Sequence, residues 1–171
     1  TIKGIGNYTG TETKEFGISP KDISAAVIAA IADQNYTGSA IEPVPSVTLA
    51  GFTGFSAGDY TVSYGANTDV ATGGSVTVTG TGNYTGSVTE SFTITPKDIA
   101  GAVIVLDGTS TVYTGSAIKP GIASVTLGTA LGPGDYEIDE YGANIDVSAG
   151  GSVTIKGIGN YTGTETKEFG I

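Results

Sequence analysis

Thr1–Ile18, TIKGIGNYTGTETKEFGI, recurs without a single change as Thr154–Ile171, and a looser copy, TVTGTGNYTGSVTESFTI, occupies Thr77–Ile94. Asn7, Asn83 and Asn160 are therefore equivalent, and the chain repeats with a period of 76 residues and then 77. A period of that length makes each repeat a unit that gains by stacking on its neighbour. Two proline junctions, Ser19-Pro20-Lys21-Asp22-Ile23 and Thr95-Pro96-Lys97-Asp98-Ile99, set the phase, because proline cannot donate within a central strand. The expected division is 1–18 as the closing hairpin of a preceding repeat, 19–94 as one repeat and 95–171 as the next. If each repeat began with its hairpin instead, the orphan would be Thr154–Ile171. The proline boundary is the favoured phase. On it, the chain is expected to be the cut end of a longer array whose export signal and anchor lie elsewhere.

Around the hairpins, the chain reads as short strands. Gly-Asn-Tyr-Thr-Gly supplies residues able to adopt the positive φ of a tight turn. Val76 and Val78, like Val153 and Ile155, alternate with Thr and Ser, and Phe92 with Ile94 share a face of the return strand. Ile23–Ala32 is rich in alanine and could be helical. Its counterpart from Ile99 holds Gly101 and the β-branched Val103-Ile104-Val105, so a strand is expected in both. Tyr-Thr-Gly-Ser-Ala-Ile-x-Pro follows at Tyr36–Pro43 and Tyr113–Pro120, then a half-buried strand at Ser46–Leu49 and Ser124–Leu127. A variable loop separates these from Gly-Asp-Tyr: Ala50–Gly58 in the first repeat, and Gly128–Gly134, two residues shorter, in the second. The segment Tyr136–Tyr141 carries one residue more than Tyr60–Tyr64. A one-residue slip would turn every later side chain to the wrong face, so a β-bulge is expected near Asp139-Glu140. Turn signals every eight to twelve residues indicate small antiparallel β-sandwiches.

Composition narrows the function. The chain has 171 residues, 28 of them Gly, a net charge of −10, seven Lys and no Arg. Nucleic acid and anionic lipid both need clustered positive charge, so neither is an expected partner. Cys, His, Met and Trp are absent, which removes disulfides, thiol and imidazole chemistry and the usual zinc and haem ligands. No apolar run reaches eighteen residues.

The chemistry-bearing patterns all have plainer explanations. Gly4-Ile5-Gly6-Asn7-Tyr8-Thr9-Gly10 has the wrong spacing for a nucleotide fingerprint and precedes a strand rather than a helix. Asn7, Asn35, Asn83 and Asn160 each satisfy N-x-T, and turn chemistry is the favoured reading over glycosylation. Asp59, Asn67 and Asp69, with Asp135, Asn144 and Asp146, are candidate oxygen ligands for a hard cation such as calcium. Their spacing fits no calcium loop, and Asx turns account for them. The expectation is no cofactor and no metal. Scattered carboxylates offer no glycosidase pair. Lys14, Lys167 and Glu90, at one equivalent position, are read as solvated rather than as isopeptide partners. Tyr36, Tyr60, Tyr64 and Tyr84 could stack on sugars, but are expected to pack their rings on a sheet and keep their hydroxyls wet.

The ordered set Tyr-Thr-Gly-x-x-Ile-x-Pro, Gly-Asp-Tyr-x-x-x-Tyr, Gly-Asn-Tyr-Thr-Gly and Phe-x-Ile resembles the glycine-rich, Ig-like tandem repeats of bacterial cell-surface proteins and adhesins. The resemblance spans nearly the whole chain and departs at the alanine-rich first strand. It implies an elongated string of β-sandwiches, extracellular, at the cell surface or secreted, with no catalytic residues. The expected role is a non-enzymatic stalk or spacer that projects a distal domain. The rival is a carbohydrate- or protein-binding module using loops Ala50–Gly58 and Gly128–Gly134. The expected partners are neighbouring repeats, a glycan or host surface protein, and another chain through strand pairing at residues 1–18 or 154–171.

Overall fold

A computed structural model describes residues 1–108 and 111–171. The described residues form strands, turns and loops, with no helix. In each repeat a three-stranded antiparallel sheet carries the sequence that alternates most strictly. In the first, Gly74–Gly80 lies between Tyr60–Tyr64 and Ser87–Phe92. In the second, Gly151–Gly157 lies between Tyr136–Tyr141 and Thr164–Phe169. The alternation works as expected: Val76, Val78, Val153 and Ile155 are fully buried. Each such side chain contributes about 1.5–3 kcal/mol by leaving water. Along the polar face Thr77 bonds Thr89 at 2.8 Å and Thr154 bonds Thr166 at 2.9 Å.

Register confirms the bulge. Tyr136–Ile138 pair with Gly157–Ile155 and Glu140–Tyr141 with Thr154–Val153, which leaves Asp139 unpaired. The extra residue is absorbed locally, and Tyr141 regains the place of Tyr64: both donate a hydroxyl to a proline carbonyl, of Pro120 at 3.0 Å and of Pro43 at 3.3 Å. Both hydroxyls are thus bonded to the chain, where the sequence reading left that of Tyr64 in water.

The segment after each proline junction runs parallel, not antiparallel, to the hairpin's turn. Lys21–Asp22 pairs with Tyr84–Thr85, and Lys97–Asp98 with Tyr161–Thr162. The chain enters at Pro20 or Pro96, which has no amide hydrogen to donate, and the next amide, of Lys21 or Lys97, donates to the carbonyl of Asn83 or Asn160. The buried Ile23 or Ile99 then turns inward. The alanine-rich segment is extended only over Val27–Ile28, which pair with Val47–Thr48. Its β-branched counterpart is a strand from Val103 to Leu106, within a sheet with Ile122–Leu127 and Thr129–Leu131. Alanine adds little area to bury, so the first copy lacks the packing that would extend its strand.

Among the described residues, buried apolar side chains gather in three clusters. Ile23, Ala26, Ile28, Leu49 and Val78 form one, and Val76, Phe92 and Ile94 a second, both in the first repeat. Ile99, Ala102, Ile104, Val125, Leu131 and Ile155 form the third, in the second repeat. Thr1–Ile18 stands outside all of them. Its strands Ile2–Lys3 and Thr11–Glu12 pair with each other alone.

Candidate functional site

Contacts between residues 60 to 91 apart in sequence join the two repeats where they meet. Ile94–Thr95 runs parallel to Gln34–Asn35 of the first repeat, and two residues later Lys97–Asp98 runs parallel to Tyr161–Thr162 of the second. One short stretch around Pro96 is therefore pinned to both repeats by backbone pairing. Thr95 Oγ1 adds bonds to the Asn35 side-chain oxygen at 2.7 Å and to the Gln34 carbonyl at 3.3 Å.

Asn160 closes the other side. Its amide nitrogen donates to Asp69 Oδ1 at 2.8 Å, and its Oδ1 accepts from the backbone N–H of Val70 at 2.8 Å. Next to it, Tyr161 packs edge-on against Tyr36, with ring centres 5.4 Å apart and planes at 74°. Desolvation by burial raises the Tyr161 pKa, helped by the negative ends of Tyr36 and Asp135. The arrangement combines three kinds of restraint: strand pairing, a two-way side-chain bond and an aromatic contact.

The six candidate cation ligands are placed differently. Asp59 accepts from the amide and hydroxyl of Ser56, and Asp135 from the amide of Gly132; each carboxylate reaches back three residues and closes its loop. Asn67 and Asn144 are buried with φ of 48° and 51°. Each donates twice, to Ile41 and Ser75 carbonyls or Ile118 and Ser152 carbonyls, and accepts from Ser75 N–H or Ser152 N–H. They hold the chain together from inside. Asp69 faces Asn160, and the Asp146 backbone carbonyl caps a turn to Ala149 and Gly150. No three acidic, His or Cys residues converge into a metal-binding group among the described residues.

Loop Ala50–Gly58 folds its two phenylalanines back onto the sheet. Phe55 packs at 5.0 Å from Tyr84 and 5.5 Å from Tyr60, Phe52 lies 6.5 Å from Tyr84, and the Lys21 ammonium sits 5.2 Å over Phe52. In Gly128–Gly134 the matching apolar residue is the buried Leu131, so the aromatic cluster is not repeated. Two equivalent clefts lie beside Asn67 and Asn144, but Thr72 and Ser91 of the first are replaced by Ala149 and Glu168 in the second. Neither loops nor clefts present one chemistry in both repeats. Lys14 and Lys167 are exposed and Glu90 is half-buried.

Sequence reasoning treated the four Asn-Tyr-Thr sites alike and missed that Asn160 and Asn35 work at the junction. Asn7 and Asn83 are exposed. Nothing local distinguishes them, since the partners of Asn160 lie 90 and 91 residues away. Compared with family models, curated proteins and solved structures, the chain shows no match in any of the three.

Proposed function

We propose that the chain is a non-enzymatic structural segment, a stalk or spacer of a bacterial surface or secreted adhesin-like protein, built from small Ig-like β-sandwich repeats joined end to end. The observation that carries this reading is the junction. A spacer transmits reach only if successive units cannot swing freely, and Ile94–Asp98 is paired to a different repeat on each side of one proline. The acidic balance of −10 favours repulsion between neighbouring stalks over association with anionic surfaces. No helix among the described residues is long and apolar enough to cross a membrane.

Small-angle scattering from the full chain tests the role. An elongated profile with one well-defined cross-section supports it, and a compact profile counts against it. The second reading, a glycan- or protein-binding module, draws on one observation: Phe52 is 41% exposed beside Lys21 and presents an aromatic-cationic surface on the first repeat. A reproducible hit on a glycan array, abolished by Phe52→Ala, would favour that reading over the spacer.

A further inference from the structure

We propose that Thr1–Ile18 is an exchangeable hairpin: in one copy of the chain it docks where Thr154–Ile171 sits in a second copy, linking copies head to tail. The proposal stands whether the chain is a spacer or a binder. Its first support is identity, since all residues of the two hairpins match and every side-chain contact of the docked copy is open to the other. The second is geometry. Ile2 faces Glu12 and Lys3 faces Thr11, as Ile155 faces Glu165 and Lys156 faces Thr164. The Gly4 amide meets the Gly10 carbonyl at 2.9 Å, as Gly157 meets Gly163 at 3.0 Å, and Thr1 bonds Thr13 at 2.9 Å as Thr154 bonds Thr166. The undocked hairpin already has the docked register.

The third support is an unfilled apolar face. Ile2, Phe16 and Ile18 are 77%, 85% and 89% exposed, whereas Ile155 is fully buried and the Phe169 ring lies across Gly151. The fourth is continuity. Ile18-Ser19-Pro20-Lys21 leads into the first repeat as Ile94-Thr95-Pro96-Lys97 leads into the second. Exchange would therefore rebuild the Asn160 side of the observed junction, with Asn83 and Tyr84 of the donor meeting Asp146, Val147 and Tyr113 of the acceptor. Val147 and Tyr113 are exposed at 61% and 56%, while their counterparts Val70 and Tyr36 at the existing junction are half-buried. Donor and acceptor surfaces differ, so the contact is heterologous and open-ended.

The hairpin contacts themselves cancel, since one copy replaces an identical one, and the new junction supplies the gain. Opposing it, the resident hairpin is tethered to its site at an effective concentration on the order of mM. The unaltered chain should therefore be monomeric when dilute and exchange as it approaches that concentration.

Phe169→Ser in the full chain weakens the resident hairpin and spares the donor. Light scattering should then show a concentration-dependent ladder of oligomers at concentrations where the parent is monomeric. Adding Phe16→Ser should return it to monomer, and Phe16→Ser alone should change nothing. Exchange also brings Thr1 opposite Glu140, the present partner of Thr154. In this cysteine-free chain, Thr1→Cys with Glu140→Cys should give disulfide-linked multimers under oxidation. A Phe169→Ser chain that stays monomeric, or oligomers that persist in the double variant, would overturn the proposal. Should Phe169→Ser fail to fold, the cysteine pair in the otherwise unaltered chain at about mM concentration decides: multimers support exchange, and monomers alone refute it.

Discussion

Asn160 holds Asp69 across the junction: its amide nitrogen donates to the Asp69 carboxylate at 2.8 Å while its oxygen accepts from the next residue's backbone N–H. The equivalent Asn83, identical in local sequence, is exposed. Asn160→Ala should reduce the coupling between repeats by about 1–2 kcal/mol, the loss of two partly exposed hydrogen bonds, one of them charge-assisted. Asn160→Asp should cost at least as much, because it sets a carboxylate against Asp69 and removes the donor. Asn83→Ala should be silent. Denaturant unfolding followed separately in each repeat would read the coupling; equal effects of the two alanine variants would remove the assigned role of Asn160.

The buried Asn67 and Asn144 are expected to be the most sensitive polar positions. Alanine at either removes the side-chain partner of one carbonyl, of Ile41 or Ile118, and of one N–H, of Ser75 or Ser152, each costing about 1–3 kcal/mol when buried, while the Ser75 and Ser152 carbonyls keep the N–H of Gly65 and Gly142. The left-handed φ adds strain for any residue with a Cβ other than Asn or Asp. Asn67→Ala and Asn144→Ala should each destabilise by about 3 kcal/mol or more. A loss below about 1 kcal/mol in thermal unfolding would show that water replaces the side chain.

Glycine under aromatic rings makes a third test. The Phe92 ring covers Gly74 and the Phe169 ring covers Gly151, so closely that an added Cβ would collide with the ring. Gly74→Ala and Gly151→Ala should cost about 1–3 kcal/mol through overpacking. Gly58→Ala, where a Cβ meets nothing within 4 Å and φ is not left-handed, should be neutral. Neutral behaviour at Gly74 would mean that Phe92 can tilt away without loss.

Tyr161 makes the junction sensitive to alkali. Burial, then Tyr36 and Asp135, raise its pKa above the usual 10.0. The folded state therefore keeps the proton that the unfolded chain releases first. This contribution is complete below pH 10 and is lost as pH climbs through the raised value. Stability should fall faster with pH above 10 in the parent chain than in Tyr161→Phe, measured by denaturant midpoint. Parallel slopes would mean that Tyr161 titrates as a free tyrosine.

Much of this was legible in the residues. Repetition fixed the equivalences, alternation located Val76, Val78, Val153 and Ile155 in the core, and the odd residue in Tyr136–Tyr141 located the bulge at Asp139. These signals are local, or compare two copies of one pattern. The parallel course of Lys21–Asp22 and Lys97–Asp98 was not legible, because it depends on which hairpin turn the strand meets in space. Nor was the role of Asn67 and Asn144: Asn-x-Asp reads as a turn until burial shows the side chain pointing inward. The junction was hidden for a similar reason, since Asn160, Asp69 and Tyr36 are brought together only by the packing of one repeat on the next.

The central claim is that the two repeats meet in a single fixed geometry. With no native cysteine, spin labels can be placed at Thr48→Cys and Thr126→Cys, exposed and equivalent positions on either side of the junction. Pulsed dipolar spectroscopy on the labelled full chain should give one narrow distance distribution, broadened by Asn160→Ala. A broad distribution in the parent chain, unchanged by Asn160→Ala, would contradict the account.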